Sequence, residues 1–454
     1  MDKYWSDKPK FLNWNREDYI KNNVLYTVPM TAKEVDESKQ EELFNSPNYF
    51  VEEKLDGTRG TIHFYSDYAR VFSRRESKKS GWLTENTDSV PQLRDIHIPE
   101  LNGTILDGEM YIPDVPFNDI SGILNCTYDT AIERQQEKGF LCLNVFDILY
   151  YKGIKIEKMP LYKRKSFLDR IIRKINNFYE EEYPSGFPYI RRVPYFKNNT
   201  PVFVGDKDLK LLNATYSVYP NLFNKVKLYK NAGNESDFWV RLTPKEYYEW
   251  IVMHGGEGIM LKPIDGKYYH KRGREYQKIK KFLTRDVIIM GFTEPTEEYT
   301  GKFPDDSWGY WIDPKTNEKQ DPNRCLATPA KELKKSFMPV TRYYFENWVG
   351  NIRYGVIITE EEFAKLSKSK KFTTQKMKLS DGKEYKVVEV GDCGGFDDEM
   401  RKYFTDNRDS MIGKVIEVKA NEQYKDTGKL RHPRFLRMRD DKDNLACTWT
   451  DHFG

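Results

Sequence analysis

The stretch Lys54-Leu55-Asp56-Gly57-Thr58-Arg59 sets a lysine, an acid two residues on and an arginine three beyond that within one short run. A lysine amine attacks phosphorus only as the neutral base. With a reference pKa near 10.4, only about one molecule in a few thousand is neutral at pH 7. A site that uses Lys54 as a nucleophile must therefore crowd it with cations or a metal and supply contacts for a phosphate. Local pattern alone reads differently. Asp56-Gly57 is a favoured turn dipeptide between the strand-like runs 50–54 and 61–65, which predicts a β-hairpin. Strand alternation also puts Glu52, Lys54 and Asp56 on one side.

Further along stand, in order, Ser73-Arg74-Arg75, Asp107-Gly108-Glu109, Val145-Phe146-Asp147-Ile148, Glu257-Gly258-Ile259-Met260-Leu261-Lys262 and Lys278-Ile279-Lys280. Arg437-Met438-Arg439-Asp440-Asp441-Lys442 follows near the C-terminus. Each motif alone is weak, because a chain with 70 acidic residues shows such turns often. As an ordered set they resemble the covalent nucleotidyltransferases: ATP-dependent DNA ligases, RNA ligases and mRNA capping enzymes. The 437–442 element is similar to the DNA ligase form specifically. So are Pro29-Met30 and Leu430-Arg431-His432-Pro433-Arg434-Phe435, and the resemblance covers nearly the whole chain.

The resemblance implies an α+β fold: a nucleotidyltransferase (adenylation) domain of antiparallel sheets with flanking helices, followed by a C-terminal OB-fold β-barrel. It makes Lys54 the nucleophile, forming a phosphoramidate with AMP. Glu52 then reads the adenine edge, Phe146 stacks on the base, and Arg59 contacts the ribose and the nick's phosphate. Arg74 takes the 5′-phosphate of the nick, which its planar fork can grip bidentately. Glu109 holds the ribose hydroxyls and, with Glu257, a Mg2+ or Mn2+ ion, which needs only one or two carboxylates beside the triphosphate. Lys278 and Lys280 clamp the α-phosphate, with Lys262 pointing at the phosphates.

Bringing Lys54 from about 10.4 to about 8 takes roughly 3 kcal/mol of destabilisation of its ammonium, assigned to Lys278, Lys280 and the metal. Arg439 and Lys442 stabilise the departing pyrophosphate on a domain that swings over ATP and later rotates away about a hinge near 281–286. Without the resemblance, Lys278 and Lys280 read as an exposed basic edge strand, Phe146 as a core residue and Arg74 as a solvated turn. One departure stands out: family members often carry tryptophan where this chain has Tyr276.

A length of 454 residues accommodates two or three domains. The 38% hydrophobic, 32% charged and 15% aromatic make-up suits a folded protein with wide polar surfaces. A net charge of +4 requires any nucleic-acid surface to come from segregated basic patches. Cys126, Cys142, Cys325, Cys393 and Cys447 form no Cys-x-x-Cys pair, which argues against a zinc module or a disulfide framework. There is no apolar signal-peptide core, no membrane-length apolar run and no P-loop.

Residues 1–48 read as a helical and loop lead-in packed on the adenylation domain, 49–284. A helix is predicted over 161–175, and another from Thr243-Pro244 to Gly255-Gly256. Between them, about 195–240 reads as an insertion and a DNA-clamp candidate, with Lys225, Lys227 and Lys230 among aromatics. Residues 285–454 read as the barrel, with an elaboration at about 303–380. The function expected is sealing of 3′-OH/5′-phosphate nicks in duplex DNA by a monomer in the cytoplasm of a bacterial or phage-infected cell. The alternatives are an RNA ligase, a GTP-dependent capping-type enzyme, or a non-catalytic OB-type nucleic-acid binding protein.

Overall fold

In a computed structural model of the chain, the described residues are 14–182, 188–198, 228–230, 238–240, 242–300, 308–321, 323, 325, 328, 330–366, 372–424 and 427–453. Lys225 and Lys227 lie outside them. The chain divides into two units, Met1–Lys281 and Phe282–Gly454.

In the first unit the strands follow one another as β1 (Thr31–Glu34), β2 (Tyr49–Glu53), β3 (Thr58–Phe64), β4 (Ala69–Glu76), β5 (Leu83–Glu85) and β6 (Ile105–Tyr111). Then come β7 (Cys142–Tyr151), β8 (Ile154–Lys155), β9 (Ile190–Arg192), β10 (Tyr195–Lys197), β11 (Gly258–Pro263) and β12 (Arg272–Lys280). These form two sheets, while Leu228–Lys230 and Phe238–Val240 pair antiparallel apart from them. One runs β1-β12-β11-β2-β10, the other β5-β4-β3-β6-β7-β8 with β9 beside β7. Antiparallel pairing dominates, but β1 on β12 and β9 on β7 are parallel.

The second sheet buries Ile62, Val71, Leu106 and Val145 against Leu168, Ile171 and Ile175. These last three lie on one face of the helix Leu161–Glu182, which runs one and a half to two turns beyond its predicted end. The helix Pro244–Met253 starts on a Thr243 cap with Glu246 closing the capping box.

Two expectations fail here. The hairpin at Asp56-Gly57 does not form, because β2 and β3 belong to different sheets. Each finds longer-range partners: β2 pairs with β11 and β10, β3 with β4 and β6. Residues 54–57 instead cross between sheets, anchored where the Lys54 amide donates to the Gly258 carbonyl at 2.8 Å. A Cβ at Gly57 would strike the Met110 carbonyl oxygen, so this crossing needs glycine. The lead-in, too, is more than helix and loop: β1 is an edge strand of the first sheet, and the helix Glu37–Asn45 follows it.

In the second unit, β13 (Leu283–Phe292), β14 (Ile352–Ile357), β15 (Thr374–Lys378), β16 (Glu384–Cys393), β17 (Val415–Ala420) and β18 (Arg434–Met438) form one antiparallel sheet, ordered β15-β16-β14-β13-β17-β18. A parallel bridge between Gly394 and Arg434 brings the last strand back beside the end of β16. Setting aside the edge strand β15, this is a five-stranded, partly open barrel of the OB kind. Val287, Ile352, Val388, Ile416 and Phe404 fill it.

The elaboration expected at 303–380 is shorter than that. Residues 352–357 are a barrel strand and 374–378 lie on the same sheet. The described part of the inserted structure is the pair Gly309–Ile312 and Met338–Thr341 with short helices. Gly355 in mid-strand masked the alternation of Ile352, Tyr354 and Val356. Among the described residues no helix is long and apolar enough to cross a membrane.

Candidate active site

A cavity of about 460 Å³ opens in the first unit, with walls from both of its sheets. Glu52 and Lys54 enter from β2 and its exit, Arg59 from β3, Arg74 from β4, Glu109 from β6 and Phe146 from β7. Lys262 comes from β11 and Lys278 from β12. Asp56 is not on the wall, because alternation ends where β2 does, at Glu53.

Glu52 is fully buried and sits between two lysines. Lys262 Nζ lies 2.5 Å from one carboxylate oxygen and Lys165 Nζ contacts the other. Lys165 also donates to the Phe146 carbonyl oxygen at 2.8 Å. The Phe146 ring carries cations too, with Lys262 Nζ 4.0 Å and the Arg59 guanidinium 4.5 Å from its centroid. Burial, aided by the charge of Lys165 and opposed by Glu52, lowers Lys262 to about 8.

Arg59 forks onto Asp107 with both bonds at 2.6 Å. The Tyr268 hydroxyl donates to the same carboxylate at 2.6 Å and accepts from the Met30 amide at 2.8 Å. This fixes Pro29-Met30 against the site. Behind Phe146, Asp147 takes a fork from Arg164 at 2.8 and 2.9 Å and a short bond from the Tyr276 hydroxyl. Burial pushes Asp147 up, but Arg164, Tyr276 and Lys262 outweigh it and hold the carboxyl at about 2. Tyr276 thus has a local reason to be tyrosine: its phenol supplies a donor to a buried carboxylate.

At the other end, Lys54 Nζ is in contact with Glu257, both about one-fifth exposed. Lys278 and Lys280 face Glu34 of β1 at 3.9 and 3.6 Å. Burial first, then the charges of Lys280 and Lys54, lower Lys278. Burial also lowers Lys280, against the pull of Glu34 and Glu257. Burial raises Glu109 to about 7 despite Arg59 and Lys54, with Glu257 adding to the rise. Burial lowers Arg74, and the neighbouring charges of Arg59 and Arg75 add to it. Arg75 and Arg272 also line the cavity.

Arg439 and Lys442 sit in the second unit. Arg439 donates to Asp286 at 2.7 Å and forks onto Asp441 at 2.9 Å, while Lys442 lies 3.8 Å from Asp286.

Sequence reasoning missed Lys165, Arg272 and the roles of Asp107 and Arg164. For Arg164 and Lys165 a signal existed. Both fall on the apolar stripe between Leu161 and Leu168, where a charge must find a buried partner.

Residues 29–185 match the ATP dependent DNA ligase domain. The DNA ligase of Methanococcus vannielii is 25% identical over 286 residues, covering 61% of this chain and 42% of that one. That of Archaeoglobus fulgidus is 23% identical over 431 residues, covering 93% and 57%. That of Methanococcus aeolicus is 30% identical over 260 residues, covering 55% and 36%. The chain thus spans from about a third to just over half the length of these relatives. Among solved structures, that of Pmar-Lig_PreS3 is 16% identical with a TM-score of 0.48, covering 93% of this chain and 71% of that one.

Proposed function

We propose that this chain is an ATP-dependent DNA ligase that seals 3′-OH/5′-phosphate nicks in duplex DNA. The observation that carries the reading is Lys54, in contact with Glu257 and close to the lysines of β12, on the wall of a cavity large enough for a nucleotide. In the first step the Lys54 amine forms a bond to the α-phosphorus of ATP and the bond to pyrophosphate breaks. Glu257 is the acceptor at hand for the proton that the ammonium must first lose. Lys278 and Lys280, both disfavoured as cations by burial, gain most from an incoming phosphate.

AMP then passes to the 5′-phosphate at Arg74, and the 3′-OH displaces AMP to close the strand. Glu52 and Phe146 take the base, with Lys262 held on Glu52 beside them rather than at the phosphates, and Arg59 and Glu109 take the ribose. Arg439 and Lys442 serve the departing pyrophosphate in the first step only. Glu109 and Glu257 are hard-oxygen donors beside a phosphate site and fit Mg2+ or Mn2+. Such an ion, when bound, neutralises phosphate charge; Glu109, pushed up to about 7, gives up its proton more readily beside it.

The enzyme acts as a monomer in the cytoplasm, and the 195–240 insertion contributes to its grip on DNA. The test is incubation with α-labelled ATP or GTP. A heat-stable labelled band from ATP, chased into a sealed nick on adding nicked duplex, is the expected result. Label from GTP alone would overturn the ligase reading in favour of a capping-type enzyme.

A further inference from the structure

Lys165 belongs to none of the motifs around the cavity. It projects from the helix Leu161–Glu182 and is only 1% exposed. It does not line the cavity, yet it joins two residues that do. Its ammonium touches Glu52 and donates at 2.8 Å to the Phe146 carbonyl oxygen. Lys262 holds the other Glu52 oxygen at 2.5 Å.

A carboxylate has about four lone-pair sites, and the two lysines use one on each oxygen. The remaining sites accept hydrogen bonds and cannot donate. A base edge that presents an amino group is therefore welcome, and one that presents a carbonyl is not. Adenine offers the 6-amino group, guanine the O6 acceptor.

We infer that Lys165 is a positioning residue for base selection: it ties Glu52 to the Phe146 backbone and so aims the carboxylate at the 6-amino group of adenine. The inference rests on the reading of this cavity as the nucleotide site. Charge balance alone does not require Lys165, since Lys262 already pairs Glu52. What Lys165 adds is direction, a second anchor that fixes the carboxylate relative to the stacking ring.

The test is binding of three nucleotides to the full chain by calorimetry: ATP, GTP and purine riboside 5′-triphosphate, which lacks the 6-amino group. Wild type should prefer ATP over the amine-free nucleotide by about tenfold, the worth of one hydrogen bond to a charged acceptor. Lys165→Met should lose most of that preference, and Lys165→Arg should retain it. A purely structural role predicts instead that Lys165→Met weakens all three nucleotides by the same factor, which overturns the inference. So does a wild type that binds ATP and the amine-free nucleotide equally. Should Lys165→Met fail to fold, Lys165→Gln keeps a donor for the Phe146 carbonyl without the charge and is judged by the same ratio. Covalent labelling of wild type is read separately. Its absence defeats the ligase reading, while the binding ratio still decides the role of Lys165.

Discussion

Glu109 and Lys54 show how much the site asks of single residues. Burial holds Glu109 at about 7 against an ordinary value of 4.5. A carboxyl raised in the folded state binds more protons folded than unfolded between those values. Stability therefore falls as pH climbs from 4.5 to about 7 and is level above it. Glu109→Gln removes that term. Without metal or nucleotide, the variant should melt higher than wild type at pH 8 and gain much less at pH 5. A thermal-melt difference of the same size at both pH values would sink the assignment.

For Lys54 the expectation is simpler. Lys54→Ala has no amine to form the phosphoramidate, so labelling by ATP and sealing of nicked DNA should fall below detection. Label retained at the wild-type level would show that the nucleophile lies elsewhere.

Neither residue's motif is telling alone; the ordered set of motifs and its resemblance to the nucleotidyltransferases singled out Lys54 and Glu109, and both line the cavity. Lys165 was not legible, since lysine on a helix is ordinarily a solvated residue. Only its place on the apolar stripe sets it apart. Glu52 was legible as a site residue, but its two lysine partners come from distant segments, and no local pattern shows them.

At the scale of elements, the helix Pro244–Met253 was readable end to end. Thr243 accepts from the Glu246 amide, and the Glu246 side chain reaches back to the Thr243 amide at 2.7 Å. Thr243→Ala should cost about 1 kcal/mol of stability, seen as a lower melting temperature. Labelling by ATP should be unchanged, because Thr243 lies off the cavity wall. A melting temperature equal to wild type would mean that the cap contributes nothing.

Strand partnership was harder to read than strand existence. The run 49–53 was visible as a strand, but its hairpin partner was misread, since Asp56-Gly57 suits a turn while β11 and β10 offer β2 pairing on both edges. Turn chemistry is local and pairing is not. The edge strand β1 escaped notice for a related reason: Thr31–Glu34 is short and half-buried, with no strong alternation of its own.

For the whole molecule, the boundary between units matters because the proposed reaction divides its work across it. The lysine cavity lies in Met1–Lys281, whereas Arg439 and Lys442 lie in Phe282–Gly454. Within its own unit Arg439 is already matched by acids, donating to Asp286 and forking onto Asp441. Those contacts preset the guanidinium's direction, and a free pyrophosphate competes for the same donors.

A role confined to the departing pyrophosphate has a distinctive consequence. Pyrophosphate leaves in the first step and is absent when a 5′-adenylylated nick is closed. Arg439→Ala or Lys442→Ala should therefore slow labelling by ATP by about 10²-fold, the usual cost of removing a group that stabilises developing negative charge. Sealing of nicked DNA that already carries 5′-AMP should stay within a few-fold of wild type. The measurement is a pair of single-turnover rates, one for each substrate, on the same preparation. If both rates fall together, the 437–442 element serves DNA binding or the barrel's own stability. In that event the division of labour proposed between the two units is wrong.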